Sequence, residues 1–134
     1  MKFNAKILAV FLVFLAFIGC DEEDEANEMS ITFVQENGYI SMDSAMTLTD
    51  TLKVKINGKT KESDDPLIKF TISQSVNNAS NETIVNNKIK SSNYNYEFVK
   101  PLSSYKPGDV IAYTFTIVNK DGYSKQSILN INIE

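Results

Sequence analysis

The chain has 134 residues, a formal net charge of −4, 43% hydrophobic and 22% charged residues, an ordinary globular balance that supports one small core and excludes a wholly disordered chain. Histidine and tryptophan are absent, cysteine occurs once, and all 13 basic residues are lysine. An internal disulfide and the soft ligand sets of zinc or copper are thereby excluded, and the guanidinium forks that read bases are missing, so neither a cofactor nor a nucleic-acid partner is expected. A general base near neutral pH would have to be a perturbed carboxylate or lysine, which argues against an enzyme.

Residues 1–19 read as a secretory signal: Lys2 and Lys6 precede the apolar run ILAVFLVFLAFI, which ends in Gly19 and Cys20. That run has 12 residues, well short of the roughly 20 that cross a bilayer as a helix, and it offers no polar stripe to the solvent as a core helix would. Phe17-Ile18-Gly19-Cys20 resembles the lipobox of bacterial lipoproteins, with phenylalanine where leucine is usual. The resemblance implies cleavage after Gly19 and acylation of Cys20, a membrane partner through two or more acyl chains. Residues 20–28 then form a tether. DEEDEANE holds six of the 17 acids and no lysine, so it repels itself and stays solvated. Asp21, Glu22, Glu23, Asp24 and Glu25 directly after the cysteine resemble the export signal of Bacteroidota-type surface lipoproteins, which implies an outer-membrane, surface-exposed protein; in other bacteria aspartate just after the cysteine instead resembles an inner-membrane retention signal, so localisation depends on the host. Without this leader the rest is neutral: residues 29–134 hold 11 acids and 11 lysines.

Residues 29–134 alternate with period two and read as an all-β domain. ITFV opens it at 31–34. In LTDTLKVKINGK, Leu52, Val54 and Ile56 form an inward row against Thr51, Lys53 and Lys55, and Asn57-Gly58 is expected to turn the chain. In PLIKFTISQSV, Ile68, Phe70, Ile72 and, at the far end, Val76 are the expected inward set, with Pro66 opening the strand. NETIVNNKI at 81–89 is a short polar strand suited to a sheet edge, and NYNYEFV sets Tyr94, Tyr96 and Phe98 on one side. After a long turn through Pro101 and Pro107-Gly108, VIAYTFTIV alternates Ile111, Tyr113, Phe115 and Ile117 inward. Asp121-Gly122 marks a hairpin into the last strand, with Leu129, Ile131 and Ile133.

About seven strands of this kind fit a sandwich of about 100 residues. DVIAYTF at 109–115 resembles the start of strand F in immunoglobulin-like domains, where Asp109 and Tyr113 match and Phe115 stands at the cysteine position. The resemblance implies a single Ig-like Greek-key β-sandwich, disulfide-free, with Tyr113 making a corner hydrogen bond and Phe115 filling the space between the sheets, and fibronectin-type and PKD-like sandwiches remain open.

No catalytic constellation is present, since Ser103 and Ser104 have no histidine partner. Asp64-Asp65 with Glu62, and Asn119 with Asp121, lack the ligand density of a calcium loop. Asn78-Ala79-Ser80 and Asn81-Glu82-Thr83 match the glycosylation pattern but fit a chance occurrence in an Asn-rich chain. Tyr105, between Ser104 and Lys106 in the long connection, is the candidate binding residue. The expected function is a non-catalytic binding or adhesion module for a glycan or envelope protein. The alternatives are a structural spacer or accessory subunit of an outer-membrane complex and, more distantly, a carboxylate-dependent hydrolase.

Overall fold

The computed structural model describes residues 28–61 and 63–134. The expected signal peptide, Cys20 and the expected acidic tether to residue 27 lie outside the described residues. The domain is all-β, with eight strands: β1 Met29–Phe33, β2 Ser44–Met46, β3 Thr51–Thr60, β4 Leu67–Val76, β5 Glu82–Ser91, β6 Asn93–Pro101, β7 Val110–Asn119 and β8 Ser124–Ile133. A three-stranded sheet in the order β1-β3-β6 faces a five-stranded sheet in the order β2-β8-β7-β4-β5. All pairings are antiparallel except β2 with β8.

The alternation decides which face is buried. Leu52, Val54 and Ile56 of β3 meet Phe70 and Ile72 of β4, Ile111, Tyr113, Phe115 and Ile117 of β7, and Leu129, Ile131 and Ile133 of β8, all buried. Phe115 sits at the centre, its ring edge-on to Phe33 at 5.3 Å and to Phe98 at 6.0 Å, a favoured aromatic geometry. The core is drawn from Met29 to Ile133, and inward rows of both sheets contribute to it, so residues 28–134 carry a self-contained core.

Three expectations need correction. Asn57-Gly58 does not turn the chain: β3 runs through it, Gly58 pairing with Ile31 on one side and Tyr94 on the other. The glycine serves close approach, because a Cβ there would lie 3.1 Å from Ile117 Cγ2 and 3.5 Å from Leu67 Cδ1. In β4 the inward residue is Leu67 rather than Ile68, which is 39% exposed. The register slips between Leu67 and Lys69 against both neighbours, and such a bulge adds a residue and resets the alternation. The strand count is eight because β2, three residues beside β8, is too short to show a pattern, while the polar edge strand β5 extends to ten residues.

Candidate functional site

The outward face of the three-stranded sheet collects the polar groups that the core does not use. Register puts Lys55 opposite Glu97 and Asn57 opposite Asn95, with side chains outward because their neighbours Val54, Ile56 and Phe98 point in. Where β1 stops, the chain continues along β3: Val34 N donates to Lys55 O at 2.9 Å and Ile40 N to Lys53 O at 2.8 Å. Between them Gly38, at φ +88°, turns the segment, and Tyr39 falls back across the sheet.

A polar cradle results. Tyr39 Oη donates to Glu97 Oε1 at 2.9 Å. Lys55 Nζ donates to Glu36 Oε2 at 2.7 Å and lies 4.2 Å from the centre of the Tyr39 ring. Asn57 Nδ2 donates to Asn93 Oδ1 and Asn95 Oδ1, both at 2.7 Å. The hydrogen bond to Glu36 raises the Lys55 pKa above its ordinary value, so the ammonium stays charged. Val34, Glu36, Lys55, Asn95 and Glu97 line an open hollow of about 430 Å³. Carboxylates, amides and an ammonium beside an aromatic ring supply donors and acceptors for a ligand rich in hydroxyls.

Tyr105 occupies the β6–β7 connection, but its side chain folds back onto the domain and is half-buried. Its hydroxyl bonds Gln74 Oε1 and Tyr113 Oη, each at 2.9 Å. One hydroxyl has one proton, so when Tyr105 donates to Gln74, Tyr113 is the donor to Tyr105. The Tyr113 corner bond therefore goes to a side chain rather than to backbone. Burial, and next the Tyr105 hydrogen bond, push the Tyr113 hydroxyl well above the usual tyrosine range.

Tyr94 and Tyr96 lie on the inner side, their rings 5.3 and 4.9 Å from that of Phe70. Asn119 is fully buried, accepting from Tyr123 N at 2.8 Å and donating to Asp65 Oδ2 at 2.6 Å. Among the described residues no group of three or more His, Cys, Asp or Glu side chains could hold a metal ion. Ser103, Ser104 and both glycosylation patterns are exposed. Sequence reasoning missed Tyr39, Glu36 and Glu97. Parity placed Lys55 outward, but only register sets it against Glu97, and residues 34–43 carry no alternation to read.

No family model and no curated protein matches the chain. Several solved structures resemble it distantly. The sporulation control protein Spo0M from Bacillus subtilis is 11% identical with a TM-score of 0.48, the match covering 80% of this chain and 49% of that one. A beta-glucosidase from Listeria innocua, in complex with glucose, is 10% identical with a TM-score of 0.49, the match covering 78% of this chain and 16% of that one.

Proposed function

We propose that this protein is a lipid-anchored lipoprotein of the bacterial cell envelope, displayed at the outer membrane, whose Ig-like sandwich is a non-catalytic module that binds a glycan. The observation that carries the binding reading is the cradle of Tyr39, Glu97, Lys55 and Glu36 with the Asn57, Asn93 and Asn95 ladder. These groups are organised outside the core, on the solvent face of the three-stranded sheet. The Ig-like reading is supported by the connectivity, with β3 beside β6 in one sheet and β4 beside β7 in the other, and by Asp109 and Tyr113. The anchoring reading is supported by the Cys20 position after the apolar run. Glu36 and Glu97 are already engaged, by Lys55 and by Tyr39, which favours recognition over the hydrolase alternative.

A glycan array probed with residues 28–134 tests the site. Binding should fall at least tenfold in Asn95→Ala and in Tyr39→Ala and be unaltered in Tyr105→Phe. Capture that survives both cradle variants would move the site elsewhere. The ten-residue β5, at the open edge of its sheet, favours a second reading, an accessory subunit that adds a strand to a partner. A protein that captures no glycan but pairs through β5 would put that reading first.

A further inference from the structure

The β4–β5 corner has a feature that neither the core nor the cradle uses. Against β7, β4 spends one extra residue, Leu67 facing Asn119 and Lys69 facing Val118. Against β4, β5 spends one extra in turn, Leu67 facing Ser91 and Lys69 facing Lys88. The slip turns both Ile68 and Lys69 to the solvent and sets two lysines directly across from each other. Like charges in that relation are destabilising, and among the described residues neither lysine has an ion pair or hydrogen bond. Ile68, Ile89 and Asn86 complete an open hollow of about 460 Å³ around them. Lys90 is exposed further along the same strand. The corner thus combines uncompensated positive charge with an apolar side chain pushed outward by a bulge, and it gains from contact with an anionic, partly apolar surface.

Its position points to which surface. Leu67, Ser91 and Asn119 lie at the same end of the sandwich as Met29 and Thr60, since Thr60 N donates to Ser92 O and Lys61 N to Glu28 O. This is the end from which the chain leads back to Cys20, eight residues before Glu28. Eight residues span at most about 29 Å. Asp50, Glu82, Asp109 and Glu134 lie at the other end, beside Pro101, Val76, Val110 and Ile133. Of the acids at the cationic end, Glu28 pairs with Lys61 and Asp65 bonds Asn119, while Asp64 and Asp121 are exposed in the two turns beside Leu67 and Asn119.

We infer that the corner of Ile68, Lys69, Lys88 and Lys90 is a docking face for an anionic membrane surface, the lysines meeting lipid phosphates and Ile68 entering the interfacial layer. Docking would orient the sandwich with the opposite end outward. The inference rests on the lipid-anchored reading, which brings this end to the bilayer.

Sedimentation of residues 28–134 with vesicles tests it without the anchor and without the acids of residues 21–25, whose charge would oppose the contact. Vesicles of equal parts phosphatidylglycerol and phosphatidylcholine should bind the domain, vesicles of phosphatidylcholine alone should not, and added salt should weaken binding. Lys69→Gln with Lys88→Gln should lower partitioning about 25-fold, about fivefold per lysine. Lys53→Gln with Lys106→Gln removes the same charge from the other half of the molecule and should lower it less than about threefold. An equal fall in both double variants, or equal binding to neutral vesicles, overturns the assignment. So does stoichiometric binding of inorganic phosphate that abolishes vesicle binding, which would make the hollow a site for a free anion. Unchanged melting of both double variants shows that neither result comes from unfolding. Failed acylation of Cys20 in metabolic labelling would sink the anchored reading while leaving the vesicle measurement standing.

Discussion

The two ends of the sandwich spend their polar side chains differently. At the end of Val76, Pro101 and Val110, side chains tie down the chain itself. Asn77 Nδ2 donates to Asp109 Oδ1 at 2.9 Å, and Asn77 Oδ1 accepts from Val110 N at 2.9 Å. Asp109 Oδ2 accepts from Lys106 N at 2.8 Å, Asp50 from Thr47 N at 2.7 Å, and Tyr105 closes over Gln74 and Tyr113. The opposite end ties Asn119 to Asp65 and Tyr123, Ser91 to the backbone of Asn93 and Lys61 to Glu28, and in addition exposes Lys69, Lys88 and Lys90. The connections explain the contrast. Residues 102–109 are a long loop whose backbone groups need partners beyond the ladders, whereas β5 passes to β6 through Ser92 alone and β7 to β8 through a tight hairpin with Gly122 at φ +91°. Short connections satisfy themselves and leave side chains available to a partner.

The largest test removes what both ends share. Phe115→Ala should cost about 3 to 5 kcal/mol in denaturant unfolding, much of the roughly 5 to 15 kcal/mol that holds a small domain, and hydrogen exchange should report both ends opening together. A loss below about 1 kcal/mol would refute the central placement of that ring. Gly58→Ala probes the close approach near the cationic end. The added methyl meets Ile117 at 3.1 Å, so melting should show a net loss of about 1 kcal/mol. A stabilised variant would mean that Ile117 moves aside freely.

Tyr113→Phe acts on the tied end alone. It removes one hydrogen bond while Tyr105 keeps Gln74, and about 1 kcal/mol is expected from equilibrium unfolding. An unchanged protein would show that water replaces the lost hydroxyl. Acid should sharpen the contrast further. The hydrogen bond from Asn77, then that from Lys106 N, lowers the pKa of Asp109, and bonds from Asn130 lower that of Asp43. Their stabilising contribution is present above the unfolded aspartate value of about 3.9 and is lost as pH falls through the lower folded value. The tied end should therefore loosen first below about pH 4, seen as early loss of amide protection near Lys106 and Val110, and Asp109→Asn should flatten that dependence. The smallest effect belongs to the cationic corner. Lys69→Gln with Lys88→Gln should change stability by no more than about 0.5 kcal/mol, the sign favouring the variant because a like-charge contact is relieved.

What was legible in the sequence follows from what is local. In β7 and β8 no bulge interrupts the pairing, and the inward set of Ile111, Tyr113, Phe115, Ile117, Leu129, Ile131 and Ile133 is the one that alternation gives. Alternation points Ile68 inward because a bulge is a property of two strands in register and leaves no local trace, and Asn57-Gly58 has the pattern of a turn because the glycine's real partner, Ile117, is distant in sequence. Tyr105 was correctly placed in a connection, yet its hydroxyl is spent on Gln74 and Tyr113, contacts that no local pattern announces. The cradle was hidden for the same reason: Tyr39 lies in an unpatterned stretch and reaches Glu97 only once β3 and β6 are paired.

One feature of the sheet order bears on when the domain can form. β8, later in sequence than every other described strand, is an interior strand, flanked by β2 and β7, and Ser127 Oγ on it donates across the sandwich to Ile31 O at 3.0 Å. A chain emerging from the ribosome with its N-terminus first has β2 and β7 in hand but no partner to put between them until residues 124–133 are clear. Loop-closure entropy must be met before these distant pairings return anything. Nascent chains stalled before residue 124 should therefore remain protease-sensitive and pliant, and the domain should acquire its resistance abruptly, once residues 124–133 are clear.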